Sequence, residues 1–160
     1  MKTNFLILFL YCFSLSAVAQ KQITNFDDLL TALKAGKPVK TVIHYAKCKL
    51  IVDGKEEPES PDAIGGMKID TYEYFDSSIF KNKIPSFLST SQTVLIYQPA
   101  YGYVYNYVKM KLKKDNNVEV TARYLKPRKF SSKFKVVMDE MFKGKINDGT
   151  NDGAIFLYTE

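Results

Sequence analysis

Residues 101–125 decide the fold of this chain, and they read YGYVYNYVKMKLKKDNNVEVTARYL. Apolar or aromatic residues alternate with polar ones towards both ends of the stretch, and a polar DNN segment separates the two ends. Alternation with a period of two is the pattern of a half-buried β-strand. The stretch therefore predicts one long β-hairpin and places the chain in the mainly β class.

The turn of this hairpin determines which side chains face the core. Asp115, Asn116 and Asn117 tolerate positive φ and form local hydrogen bonds, as turn residues do. A loop of three or five residues keeps both apolar sets on one side, whereas a two-residue loop would turn one set over. The predicted core side consists of Val104, Asn106, Val108, Met110, Leu112, Val118, Val120, Ala122 and Tyr124.

The opposite side of the hairpin is the predicted binding surface. A tyrosine ring is apolar while its hydroxyl is polar, so a row of tyrosines can stack on sugar rings or contact a protein. The alternative is that tyrosine, which has high β-propensity, only stiffens the sheet or lies beneath a helix. The candidate binding residues are Tyr101, Tyr103, Tyr105, Tyr107, Lys109, Lys111 and Arg123.

The N-terminal end of the chain predicts export. Lys2 supplies a positive charge, residues 5–13 form an apolar run, and a small-x-small cleavage site ends at Ala19. This is the layout of a secretory signal peptide, and the run is shorter than the ~20 apolar residues of a membrane-spanning helix. We expect a signal peptide over residues 1–19, no transmembrane segment, and a single mature domain over residues 20–160 that is periplasmic or secreted.

The charge of the chain predicts the chemistry of its partners. The formal net charge is +6 at pH 7. A basic face on an exported protein favours a small or acidic ligand, such as an acidic polysaccharide, an anionic lipid or an acidic protein, over nucleic acid. The alternative is that the excess charge only keeps the protein soluble. A monomer is the expected state.

An amphipathic helix is predicted at the start of the mature chain, because its apolar residues recur at spacings of three and four. Thr24 or Asn25 is the expected N-cap, and Gly36 with Pro38 ends the helix. The apolar stripe consists of Phe26, Leu29, Leu30 and Leu33.

Residues 39–52 predict one strand, because they are rich in β-branched side chains. Its expected core side carries Val42, His44, Ala46, Cys48 and Leu50. Further strands are predicted at 67–75, 93–98 and 154–158, with polar or irregular connections at 53–66 and 76–91. Residues 134–142 fit either a helix or a strand. The fold class is thus a small antiparallel barrel or sandwich of about six to eight strands, or a lipocalin-like cup, with one N-terminal helix.

The sequence contains few residue patterns that are typical of catalytic or metal sites. On a strand His44 and Cys48 would stand about 13 Å apart, too far to exchange a proton. Residues 148–153 resemble a calcium loop but lack the acid at its twelfth position, so a turn is predicted. We therefore expect no enzyme activity, no catalytic residues, no metal and no cofactor. Cys48 is the one cysteine after residue 19, and it is either buried or paired between chains.

Two segments of the chain resemble the VirK protein family. Residues 26–39 read FDDLLTALKAGKPV and are followed by the YAKC of residues 45–48, which is similar to the helix and strand that open the family's pattern. Residues 65–71, GGMKIDT, are similar to its Gly-Gly-x-x-Ile-Asp segment. The resemblance implies an exported protein that is associated with virulence gene clusters and has no established chemistry.

The resemblance also implies a second cysteine near the C-terminus, in an aromatic-x-Cys-x-Ile context. Residues 142–146 read FKGKI, so Gly144 stands in the place of that cysteine. If the family's two cysteines pair, this chain lacks that disulfide and Cys48 is left alone.

Two functions fit these patterns. The first is an exported, non-enzymatic binding module that uses either the tyrosine and lysine surface of the hairpin or the interior of a barrel. The second is a structural or partner-interaction protein of the bacterial envelope.

Overall fold

The computed structural model describes residues 20–81, 83–128 and 133–159. Within these ranges the chain forms eleven strands and one α-helix. The strands are β1 Lys21–Ile23, β2 Val39–His44, β3 Lys49–Val52, β4 Lys55–Glu56, β5 Ile64–Lys68, β6 Tyr72–Phe75, β7 Phe87–Gln98, β8 Gly102–Lys113, β9 Asn117–Pro127, β10 Phe134–Lys145 and β11 Ile155–Thr159, and the helix α1 is Phe26–Lys34. The predicted signal peptide lies outside the described residues.

The strands form two antiparallel sheets. The small sheet has the order β1-β11-β2-β5, and the large sheet has the order β4-β3-β10-β9-β8-β7-β6. The prediction of a mainly β domain with one N-terminal helix is therefore confirmed. The described strands do not close into a barrel, because each sheet ends in two edge strands. Neither the barrel nor the lipocalin-like cup is found among the described strands. The eleven strands exceed the predicted six to eight, and several of them have only two to four residues.

The hairpin of β8 and β9 lies in the middle of the large sheet. Strand β8 ends at Lys113 and β9 begins at Asn117, so three residues form the loop, and Asn116 among them has a φ of 65°. The three-residue alternative is therefore the one the chain adopts, and both apolar sets face the same side. The fully buried side chains on that side include Val104, Met110, Leu112, Val118 and Val120.

Helix α1 covers this apolar side. Asn25 is its N-cap, since its side chain accepts a hydrogen bond from the Asp28 N–H at 2.9 Å. The Phe26 N–H donates to Oδ1 of Asn116 at 2.8 Å, which ties the start of the helix to the hairpin turn. The buried stripe consists of Phe26, Leu29, Ala32 and Leu33, whereas Leu30 is half-buried.

The prediction of one strand over residues 39–52 is wrong. A short 3₁₀ turn at Tyr45–Lys47 separates β2 in the small sheet from β3 in the large sheet. In β2 the buried residues are Val39, Thr41 and Ile43, so the predicted core side is inverted there. The 3₁₀ turn shifts the phase of the alternation, and Cys48 after it is buried as predicted.

The undecided segment at residues 134–142 is part of strand β10. Its pairing with β9 shifts between Val136 and Met138, which indicates a β-bulge. The bulge interrupts the period of two, and this is why the apolar spacing also fitted a helix. Two other predictions also need correction: β7 begins at Phe87, within the predicted connection, and the predicted strand at 67–75 is divided between β5 and β6 in different sheets.

Candidate functional site

The large sheet has an inner face, which carries Val104, Met110, Leu112, Val118, Val120 and Phe142, and an outer face that looks away from the core. Side chains that lie opposite each other in register share a face. The outer face therefore carries Tyr103, Tyr105, Tyr107, Lys109, Lys111 and Arg123, as the sequence predicted.

Tyr101 does not belong to this row. It precedes β8 in a turn, where its N–H donates to the Gln98 carbonyl oxygen. Gly102 follows with a φ of 74°, and this backbone conformation breaks the alternation that the tyrosine spacing suggested. The ring of Tyr101 packs on Tyr124, which belongs to the opposite face of the sheet.

Some charged members of the predicted site already have partners. Nε of Arg123 donates to Oδ1 of Asp139 at 2.9 Å, and this hydrogen bond raises the pKa of the guanidinium. Nζ of Lys111 lies 4.2 Å from the centre of the Phe87 ring, within the range of a cation–π contact. The predicted residues thus form a flat surface on which Arg123 and Lys111 already contact other side chains of the chain.

A concave site adjoins the lysine end of the outer face. The cleft has a volume of about 640 Å³, and five lysines line it together with the carboxylates of Glu119 and Asp152. We call these residues the lysine cleft: Lys47, Lys49, Lys113, Lys143 and Lys145. The register continues from the cleft to the predicted site, because Lys49 lies opposite Lys143, Lys143 opposite Glu119, and Glu119 opposite Lys111.

Three lysines of the cleft have carboxylate partners. Nζ of Lys47 lies 2.8 Å from Asp152, that of Lys49 lies 2.9 Å from Glu56, and that of Lys113 lies 2.6 Å from Glu119. Lys47 also lowers the pKa of Asp152 through this hydrogen bond. Lys143 and Lys145 are exposed and have no such partner among the described residues. The cleft therefore keeps an excess of positive charge.

Sequence reasoning missed the lysine cleft. The pairs Lys47–Lys49 and Lys143–Lys145 each alternate with one residue between them, which is the available signal. Neither pair indicates a site by itself. Lys47 and Lys49 are separated by the end of a 3₁₀ turn that the sequence did not predict. Lys143 and Lys145 follow residues 134–142, which fitted either a helix or a strand.

Cys48 lies directly behind the backbone of Gly144. A Cβ atom at position 144 would stand 3.2 Å from Sγ of Cys48. Burial raises the pKa of the Cys48 thiol to about 11, so the thiol stays protonated near neutral pH. Sγ lies 3.7 Å from the carbonyl oxygen of His44, while the His44 ring packs on Phe156. The 13 Å separation expected for a straight strand does not apply, because the 3₁₀ turn lies between the two residues.

The other candidate carboxylates hold turns together. Oδ1 of Asp148 accepts hydrogen bonds from the backbone of Thr150 and Asn151, so residues 148–153 form the predicted turn. Oδ1 of Asp76 accepts from the Ser78 N–H, which lowers the pKa of Asp76 to about 2. The described side chains include no cluster of three or more potential metal ligands. Within the same ranges, no helix is long and apolar enough to cross a bilayer.

Comparison with known proteins gives a family and a related structure. The model of the VirK protein family matches residues 22–130. The crystal structure of lpg1832, a VirK family protein from Legionella pneumophila, aligns with a TM-score of 0.61 at 14% identity, covering 85% of this chain and 97% of that one. This likeness concerns the fold alone. No curated protein matches the sequence.

Proposed function

This chain belongs to the VirK family, and on that premise we propose that it is an exported, non-enzymatic module that binds an acidic ligand in the lysine cleft. The observation that carries the proposal is the charge of the cleft, in which five lysines face two carboxylates. An acidic ligand relieves the repulsion between lysines that stand opposite each other, such as Lys49 and Lys143.

The ligand class we favour is an acidic oligosaccharide. Its carboxylates are spaced along a chain, so several can be bound by lysines on neighbouring strands, which are about 4.8 Å apart. The outer face continues from the cleft through Lys111 and Lys109 to Tyr107. The ring of Tyr107 offers an apolar surface on which a sugar ring can stack. The tyrosine and lysine surface would then be an extension of the cleft rather than a separate site.

The described chemistry supports binding rather than catalysis. Cys48 is a protonated and buried thiol, and Asp76 and Asp148 are held by the turns that they cap. The apolar run and small-residue site before residue 20 support export.

The proposal is tested by isothermal titration calorimetry with an oligogalacturonate, using the chain from Gln20 onward. Replacing Lys143 and Lys145 by Gln should weaken binding by about tenfold or more, since two cationic contacts are lost. Raising the salt concentration should weaken binding of the parent protein, because the contacts are charged and exposed. Tyr107→Ala should cause a smaller loss.

The matched control is the double variant Lys21→Gln/Lys68→Gln, which removes the same charge from the two edge strands of the small sheet. Its affinity should equal that of the parent protein. Equal losses in the two double variants would mean that net charge, and not the cleft, binds the ligand. Equal binding of a neutral maltooligosaccharide would also contradict the proposal.

A further inference from the structure

Strand β7 has a long edge without a neighbouring strand. It pairs with β8 along its whole length, from Phe87 to Gln98. On its other side, the pairing with β6 ends at Thr90. Among the described residues, no strand pairs with that side of residues 91–98, which we call the open edge. An edge of this length presents backbone donors and acceptors to which another extended chain can bind.

Two hydrogen bonds show which backbone groups face the open edge. The carbonyl oxygen of Ser86, directly before β7, accepts from the Lys114 N–H at 3.0 Å. The carbonyl oxygen of Gln98 accepts from the Tyr101 N–H at 3.0 Å. Both carbonyls therefore point towards β8. Because the backbone groups of successive residues in a strand point to opposite sides, the even-numbered residues of β7 bond to β8. The groups that face the open edge belong to Ser91, Thr93, Leu95 and Tyr97.

The open edge lacks the features by which edge strands usually avoid pairing, which are charged side chains, proline, bulges and short length. Residues 91–98 read SQTVLIYQ, without a charge or a proline, and their register with β8 is continuous. By contrast, the edge strands β1, β4 and β6 have only three, two and four residues. The open edge is also accessible, since Leu95 is 58% exposed and Tyr97 is 65% exposed.

The sequence of the open edge is complementary to a second copy of itself. An antiparallel pair with a two-fold axis at Leu95 aligns residues of like polarity in these cross-strand pairs: Leu95 with Leu95, Val94 with Ile96, Thr93 with Tyr97, and Gln92 with Gln98. The apolar pairs lie in the centre and the glutamines at both ends, and β-branched and aromatic pairs of this kind stabilise a sheet. The pairing stops at Gln92, before the position opposite Thr90 that β6 occupies.

We propose that two copies of this chain pair through their open edges and form a dimer with one continuous sheet. The two copies of Leu95 exchange hydrogen bonds at the axis, and Thr93 and Tyr97 extend the ladder on both sides, for about six bonds in total. Residues 84–108 carry no charged side chain, so neither copy of this basic chain brings a like charge to the paired strands.

A second copy fits the open edge better than a strand of another protein, because the two-fold axis makes every one of these pairs twice. It also uses the open edge of both copies, so the assembly closes at two. This dimer differs from the monomer that we expected from the sequence. The open edge shares no residue with the lysine cleft, so the dimer does not rest on the proposed function.

The first test changes the charge at the axis, and sedimentation velocity over a range of concentrations measures the dimer dissociation constant of the chain from Gln20 onward. Leu95→Lys and Leu95→Glu each bring like charges together, so each should raise that constant by about tenfold or more. An equimolar mixture of the two variants should restore the dimer, because Lys then faces Glu. Both variants should keep the fold, since the side chain is exposed.

Tyr103→Lys is the matched control for the edge. Tyr103 is 69% exposed on the same outer face, but it belongs to β8, and the change should leave the dissociation constant nearly unchanged. Three results would overturn the proposal: a parent protein that stays monomeric at every concentration, a mixture that does not restore the dimer, or an equal loss in Tyr103→Lys, which would indicate stacking of outer faces instead. Oligomers that grow beyond the dimer would contradict the closed arrangement.

The second test fixes the register by disulfide formation. Leu95→Cys places two thiols opposite each other at the axis, with Cα atoms about 5.5 Å apart, which suits a disulfide. Thr93→Cys lies on the same face, but its two copies stand about 13 Å apart along the strands. Mild oxidation should therefore link two copies of the first variant and not of the second, as seen on a non-reducing gel. Equal linking of both variants would contradict the axis at Leu95.

Discussion

The two halves of the large sheet differ because the elements that cover it are shorter than its own strands. Strands β7, β8 and β10 each have 12 residues, which is about 40 Å of extended chain. Strands β2 and β11 of the small sheet have 6 and 5 residues, or about 20 Å. One half of the large sheet therefore packs in the core, and the other half extends beyond it. The covered half supplies stability and carries the lysine cleft on its outer face, whereas the extended half exposes apolar side chains such as Leu95 and Tyr103.

The test with the largest expected effect compares one aromatic residue from each half. Phe142 is 2% exposed and packs against the Tyr45 ring, whereas Tyr103 is 69% exposed. Phe142→Ala should lower the free energy of unfolding by about 3–5 kcal/mol, because it leaves a cavity. Tyr103→Ala should change it by less than about 0.5 kcal/mol. Urea unfolding measures both, and similar losses would show that the extended half also belongs to the cooperative core.

The second test strengthens the covered half. Because a Cβ at position 144 would stand 3.2 Å from Sγ of Cys48, Gly144→Cys should form a disulfide after mild oxidation. The oxidised form should be about 2–4 kcal/mol more stable than the reduced form. Thermal unfolding with and without reductant gives this difference.

Gly144→Ala is the control for that disulfide. Its Cβ would lie 3.3 Å from the Cβ of Ala154, so it isolates the steric cost of any side chain at this position. Two free thiols per chain after oxidation of the native Gly144→Cys protein would contradict the predicted geometry. A disulfide between two chains, seen as a dimer on a non-reducing gel, would do so as well.

The third test removes a defect from the covered half. Thr41 is 2% exposed, and its Oγ1 has no hydrogen-bond partner in the part of the chain that the structure describes. Thr41→Val keeps the branched shape and removes the unsatisfied hydroxyl. The free energy of unfolding should rise by about 1 kcal/mol. Thr31→Val on the exposed side of α1 is the comparison variant and should bring no gain. A loss of stability in Thr41→Val would indicate that the hydroxyl does have a partner.

The test with the smallest expected effect concerns the extended half. Lys135 lies opposite Lys126, so Lys135→Glu should exchange a repulsion for an attraction and add about 0.2–1 kcal/mol to the free energy of unfolding. The gain should shrink in 1 M salt, where exposed charges are screened. Lys37→Glu, in the exposed segment after α1, should give no comparable gain. Equal effects of the two variants would show that only net charge matters.

The sequence was most informative where one period continued over many residues. The hairpin faces were predicted because alternation was long and the turn residues tolerate positive φ, as Asn116 does. The prediction was wrong for Tyr101, since Gly102 changes the backbone direction one residue later. It was also wrong for the core side of β2, because the 3₁₀ turn at Tyr45–Lys47 carries no glycine or proline to signal it.

Neither the lysine cleft nor the exposed aromatic side chains at the other end of the large sheet could be derived from local patterns. The cleft joins side chains from β3, β8, β10 and the 3₁₀ turn, which are brought together only by the order of strands in the large sheet. The exposure of Leu95, Tyr97 and Tyr103 depends on how far the small sheet extends over the large one. Both properties follow from pairings between residues that are distant in sequence, and these pairings are not encoded in the period of any single strand.

The contacts of Asn116 predict the order in which the hairpin and helix α1 fold. Its Oδ1 accepts from Phe26, which lies 90 residues earlier in the chain, and its carbonyl oxygen accepts from Ile146. The hairpin that presents these acceptors closes from local contacts, whereas docking of α1 must first close a long loop. We therefore expect the helix to dock late on the folding pathway, on a turn that already exists. Asn116→Gly, which keeps the positive φ of the turn and removes the side-chain acceptor, should accordingly speed unfolding while leaving the rate of refolding almost unchanged.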